Sequence, residues 1–154
     1  MNLENQLRAL GLDLPHTPVP VGNYRPAKQV GSLVFTSGQT ARINGVRRYV
    51  GKVGREISDE EAYLSARDAA LNCLVAAGWA AGGLDRLRDV VKVTGFVNCI
   101  DGYDRQPQVI NGASDLYLKL FGESAAHARS ALGVNALPSN VSVELEVIFE
   151  ATVS

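Results

Sequence analysis

The chain is poor in the side chains on which most protein chemistry rests. Its 154 residues include two histidines, two cysteines, one methionine and one tryptophan, and only 6% are aromatic. Two histidines are too few for a histidine-based metal site. Cys73 and Cys99 stand far apart, forming neither a CxxC pair nor a zinc spacing with His16 or His127. They read as two buried free thiols in a reducing compartment, with a disulfide or redox role as the alternative. A charge surplus is also missing. Fifteen Lys and Arg stand against sixteen Asp and Glu, a net charge of −1. Nucleic-acid binders ordinarily carry excess positive charge to neutralise phosphates, so this balance argues against such a partner. No long hydrophobic run is present. The most apolar stretch, Ala69 to Leu84, is interrupted by Asn72 and carries glycines, which argues against a membrane span. The first residues lack the basic-then-apolar profile of a signal peptide, so a cytoplasmic location is expected. There is no GxSxG, no HExxH and no P-loop.

What is present is an ordinary globular mixture, 46% hydrophobic and 20% charged, of a length that suits one domain. Leu3, Leu7 and Leu10 recur at helical spacing and Gly11 follows as a stop. Pro15, Pro18, Pro20 and Pro26 then exclude helix and suggest extended chain wrapping over a surface. Residues 1–18 are therefore expected to form a helix and Pro-rich extension, and 19–154 a single domain. Lys28–Val30 and Leu33–Ser37, joined by Gly31-Ser32, read as a hairpin. Arg42 to Gly54 reads as a loop or edge hairpin. Ser58 with Glu61 three residues on forms a capping box ahead of an Ala-rich helix. Val90–Val97 is strongly β-prone, and Pro107 opens a second helix through Leu120. A further strand is possible from Arg129 to Asn135. Val141 to Phe149 alternates, with Val141, Val143, Leu145, Val147 and Phe149 on one face and Ser142, Glu144, Glu146 and Ile148 on the other.

The order β-β-α-β-α-β predicts an α+β sheet with both helices on one face. The other face is left bare, which points to an oligomer in which bare faces meet. The polar residues that stand out are few. Glu144 and Glu146 read either as a solvent-facing edge or as carboxylates at a subunit seam, able to orient water. Arg129 reads either as surface decoration or as a planar fork for a carboxylate. His127 reads as a solvated or loop-capping residue.

Several segments also carry a resemblance. They are Gly22-Asn23-Tyr24, Leu33–Gln39 with its Ser37-Gly38-Gln39, Asp89–Val97, Val109-Ile110-Asn111, Ala128–Pro138 and Val143-Glu144-Leu145-Glu146. In this order they resemble the YjgF family, also called RidA or reactive-intermediate deaminases and, in older usage, L-PSP endoribonucleases or translation inhibitors. The resemblance covers roughly Val19 to Ala151. It implies a chorismate-mutase-like α+β fold in a homotrimer, with three clefts between subunits. It also implies hydrolysis of enamines and imines such as 2-aminoacrylate to a 2-keto acid and ammonia, with no metal or cofactor.

By the same resemblance Arg129 grips the substrate carboxylate, Glu144 positions the attacking water, Tyr24 lines the cleft, Asn111 is a polar neighbour and Ser37 lies at the cleft wall. Ala131 stands where the deaminase branch often has Cys, Gly133 where it often has an acid, and Asn23 where it often has Pro. The helix-like extension from Asn2 to Leu10 is absent from compact members. These departures suggest a divergent branch. A non-catalytic trimer that binds small carboxylates or a protein in the same clefts is the alternative expectation. RNA cleavage is a third, which the charge balance disfavours.

Overall fold

The computed structural model describes residues 2–19 and 22–153. Pro20, one of the prolines of the expected extended segment, lies outside them. The first helix, α1 (Leu3–Ala9), is capped by the Asn2 side chain, which accepts the Asn5 N–H at 2.9 Å. Leu3 and Leu7 are buried, and α1 packs on α3. Leu10, expected on the same stripe, is instead exposed, because it is already the C-cap residue. Residues 12–19 run without regular structure, and Pro15 is buried along that path.

The expected hairpin is β1 (Ala27–Val30) and β2 (Leu33–Thr36). Three short strands follow, β3 (Gln39–Thr40), β4 (Arg42–Ile43) and β5 (Val46–Arg47), of which the last two form a separate small hairpin. Then come α2 (Asp59–Ala81), β6 (Leu87–Asn98), α3 (Gln106–Phe121), β7 (Ala128–Val134) and β8 (Val143–Ala151). The main sheet runs β1-β2-β8-β6-β7, with β3 also on β8. It is mixed: β7 is parallel to β6 and the other pairings are antiparallel. The strand that was only possible from Arg129 to Asn135 is thus a full edge strand, shifted by one residue.

Strand β8 lies at the centre of the sheet, and its alternation decides the two faces. Val143, Leu145, Val147 and Phe149 are buried beneath α2 and α3, while Glu144, Glu146, Ile148 and Glu150 line the opposite side. Ser142 departs from the expected split. It is fully buried, and its hydroxyl donates to Ser65 Oγ on α2 at 2.8 Å, because the regular strand begins only at Val143. The open face carries Phe35 and Leu132, both more than two-fifths exposed, beside half-buried Phe96 and Ile148. Across the closed face Tyr117 meets Phe149 edge-on at 5.5 Å and donates its hydroxyl to the Ala70 carbonyl.

The capping box forms as read: Ser58 Oγ accepts the Glu61 N–H at 3.2 Å and Glu61 Oε2 accepts the Ser58 N–H at 2.9 Å. Ser58→Ala is expected to cost about 1 kcal/mol, measured as a fall of roughly 2–4 °C in Tm for a domain of this size. An unchanged Tm would show that the box contributes nothing net. Both cysteines are buried free thiols. Burial pushes the Cys73 thiol up to about 12, so it is inert as a nucleophile. Among the described residues no helix is long and apolar enough to cross a membrane, and no cluster of His, Cys, Asp and Glu is arranged to hold a metal ion.

Candidate active site

Register places the two principal candidates on opposite sides of the sheet. Arg129 pairs with Val93, whose side chain is buried against the helices. Glu144 pairs with Phe96, three residues further along β6 and therefore on the other face. Within one chain Arg129 and Glu144 belong to two separate groups of residues.

The first group surrounds Arg129. Its Nη1 donates to Asn111 Oδ1 at 2.7 Å and to Ser114 Oγ at 3.2 Å, both on α3. Positions 111 and 114 share a helix face, so one turn of α3 supplies both acceptors. Both are neutral, and no carboxylate pairs with Arg129 among the described residues. Among the described residues nothing partners the Nε and Nη2 edge. That edge presents two parallel N–H groups, the pattern that fits a carboxylate.

The Ser114 hydroxyl continues the chain to His127 Nε2 at 2.9 Å, and His127 Nδ1 contacts the Ala125 carbonyl at 2.8 Å. A carbonyl only accepts, so in the neutral ring Nδ1 carries the proton and Nε2 accepts from Ser114. Burial lowers the His127 pKa, and the Arg129 charge adds to this. His127 is therefore a half-buried link behind the arginine, not a solvated residue, and its bond to Ala125 gives it a loop-capping part.

The second group surrounds Glu144. After Phe35, which pairs with Ile148, the chain takes one extra residue before Gln39 pairs with Leu145. This bulge holds Ser37 and Gly38. The Thr36 hydroxyl accepts the Val147 N–H at 3.0 Å across the gap. A β-carbon on Gly38 would lie 2.9 Å from Glu144 Cδ, so a larger residue there would push the carboxylate aside, and glycine lets the backbone approach it closely. Ser37 donates its hydroxyl to the Arg25 carbonyl at 2.6 Å and its N–H to the Pro26 carbonyl at 2.8 Å. It thus holds the Tyr24–Pro26 segment in place. Tyr24, half exposed, lines a cavity together with Gly38. Burial raises the Glu144 pKa, and the neighbouring Glu146 raises it further. A half-buried carboxylate with a raised pKa, set against open backbone, is suited to accepting a proton.

The chain as a whole has counterparts among known proteins. Residues 4–151 match the family model described as "YjgF/chorismate mutase-like, putative endoribonuclease". The chain belongs to this family. It is 37% identical over 145 residues to protein TCP17 of Trypanosoma cruzi, covering 94% of this chain and 91% of that one. It is 35% identical over 140 residues to the 2-iminobutanoate/2-iminopropanoate deaminase of Dermatophagoides farinae, covering 89% and 92%. Among solved structures, Atu1372 of Agrobacterium tumefaciens superposes with a TM-score of 0.90 at 37% identity, covering 97% of this chain and 92% of that one.

The YjgF-type match takes in all of α1 but its first residue, as well as the sheet, consistent with Leu7 in the core. Two contributors to this family member's arginine group were not legible in its sequence. Ser114 sits inside the apolar stripe of α3 and looks like filler there. His127 gains its part only once β7 is laid parallel to β6. The spacing of Asn111 and Ser114, three apart on a helix facing an edge-strand arginine, was the one available signal.

Proposed function

We propose that the protein hydrolyses reactive imines and enamines of small amino acids to 2-keto acids and ammonia, at clefts formed between copies of the chain in a cytoplasmic homotrimer. The observation that carries the reading is the split site. The arginine's free edge and the raised-pKa carboxylate stand on opposite faces of one sheet. A second copy is needed to set the Arg129 group of one subunit against the Tyr24–Gly38–Glu144 group of another, and the exposed Phe35 and Leu132 on the open face favour such docking. The deaminase relative supports the chemistry.

In the proposed reaction Arg129 holds the substrate carboxylate through its Nε and Nη2 edge. Glu144 takes a proton from water as the oxygen bonds to the iminium carbon, and the C=N electron pair moves to nitrogen. The same carboxyl returns the proton to that nitrogen. Ammonia leaves as the hydroxyl oxygen forms the new C=O, and its proton passes to solvent. The iminium carbon is already electrophilic, so positioning and one proton acceptor suffice. The direct test is ammonia release from freshly generated 2-iminopropanoate. A rate equal to the buffer blank would overturn the reading, as would a monomer in sedimentation.

Glu144 must be ionised to take the proton. Its raised pKa places the acid limb of the kcat/KM profile above 4.5, the ordinary value, with activity falling as pH falls through it. Because Glu146 is one cause of the rise, Glu146→Gln is expected to move that limb to lower pH. A limb that stays put, or moves up, would show that a different group controls it.

A further inference from the structure

The small hairpin β4–β5 has a feature that the proposed chemistry does not use. Its turn, Asn44-Gly45, has positive φ at both residues, 49° and 85°, and sets Arg42 directly opposite Arg47. Directly paired residues project to the same face, so the two cationic side chains leave the hairpin on one side and line one cavity. Like charges so placed repel and weaken the pairing. No acid among the described residues relieves them. Arg42 donates only to the Gly45 carbonyl, at 3.3 Å, and Arg47 has no hydrogen-bond or ionic partner among the described residues. The adjacent Arg48, by contrast, is paired with buried Asp68 at 3.1 Å.

The base of the hairpin is fixed. Asn72 Nδ2 on α2 donates to the Thr40 and Arg42 carbonyls, both at 2.8 Å. Asn44 Oδ1 accepts the His16 N–H at 3.0 Å, tying the tip to the N-terminal segment. The charges are therefore held together by the fold and not by mutual attraction.

Both arginines line a cavity of about 620 Å³, which extends to Tyr24 and Gly38 and is closed by residues 16–19 and by Pro138 and Ser139. No acidic residue is among its described walls. Its volume falls within the roughly 300–1,000 Å³ range of small-molecule sites. Glu144 stands directly behind Gly38. One end of the cavity thus adjoins the proposed proton acceptor, and the other is cationic and uncompensated.

We propose that Arg42 and Arg47 form a subsite for a second carboxylate, so that the preferred substrates are imines whose side chain ends in an acid. This rests on the reading of the Tyr24–Gly38–Glu144 corner as half of the substrate site. Arg129 takes the carboxylate beside the reacting carbon, and the facing arginine pair takes the distal one through charge-assisted hydrogen bonds.

The test uses the full chain and four proteins: wild type, Arg42→Gln, Arg47→Gln and the double variant. Calorimetry compares 2-oxoglutarate with 2-oxobutanoate, product analogues with and without the distal carboxylate. Wild type is expected to bind the dicarboxylate at least about tenfold more tightly, and the double variant is expected to bind the two alike. Thermal midpoints of the variants should equal or exceed that of wild type, since a repulsion is removed. Equal wild-type affinities, or a preference that survives in the double variant, would overturn the subsite. Turnover of the imines of alanine and glutamate, run in parallel, separates the two proposals. Turnover of the alanine imine without any dicarboxylate preference sinks the subsite alone. A dicarboxylate preference lost with the arginines, but without turnover of either imine, sinks the hydrolysis alone.

Discussion

Arg129→Ala is expected to lower kcat/KM on 2-iminopropanoate by about thirty-fold to a few thousand-fold, corresponding to a loss of about 2–5 kcal/mol of carboxylate binding. The range follows from the way the guanidinium is held. Nη1 is committed to Asn111 and Ser114, and this fixes the plane of the free edge before any substrate arrives. Truncation removes the fork and also leaves Asn111 Oδ1 and Ser114 Oγ without their donor. The substrate carboxylate is charged in both ground and transition states, so most of the loss should appear in KM. Arg129→Lys restores the charge but not the two parallel N–H groups, and should recover only a minor part. Kinetics unchanged from wild type would remove Arg129 from the site.

The opposite-face placement adds a sharper form of this test. Arg129→Ala and Glu144→Gln chains are each expected to be strongly impaired alone. If each site takes its arginine and its glutamate from different copies, unfolding and refolding an equal mixture should rebuild about one site in four with both residues intact. A mixture as impaired as its parents would mean that both residues serve one site within a single chain, contrary to the register.

The sequence revealed most where a local rule has a single outcome. Ser58 and Glu61 at the right spacing could form a capping box, and the alternation of Val143 to Phe149 could bury only one side. The bare face followed from those two facts together with a second helix. Strand order was not legible in the same way. The last strand inserts between β2 and β6, and β7 runs parallel to β6 at the edge, and both are set by long-range pairing that no local pattern encodes. Yet that pairing decides the site, because it turns Arg129 toward α3 and leaves Glu144 on the far side. Ser142 shows the limit of periodicity itself: one residue before β8 settles into regular pairing, a polar side chain points inward because Ser65 offers a partner. Arg42 and Arg47 were visible as residues but not as a pair, since their facing positions depend on where the Asn44-Gly45 turn falls.

Gly112→Ala is expected to destabilise the fold by about 2–4 kcal/mol, seen as a fall of roughly 5–15 °C in Tm. The sign is the informative part. In an ordinary helix interior the same change stabilises, by roughly 0.5–1 kcal/mol. Here α3 crosses α2 so closely that a β-carbon at position 112 would lie 2.0 Å from the Tyr63 carbonyl oxygen and 2.9 Å from its carbonyl carbon. Those are backbone atoms of a helix, so no side-chain rotation can relieve the clash and the helices must separate. Nearby, Tyr63 donates its hydroxyl to Asp115 at 2.7 Å, which pins the crossing further. Gly112 also sits between Asn111 and Ser114, the two acceptors of Arg129. A displacement of α3 therefore moves the arginine's supports, and residual activity should fall further than partial unfolding alone would cause, with KM rising in the fraction that remains folded. If the alanine variant melted at or above the wild-type temperature, the two helices would have to lie about an ångström further apart, and the close crossing could not be what sets the position of Asn111 and Ser114 beneath β7.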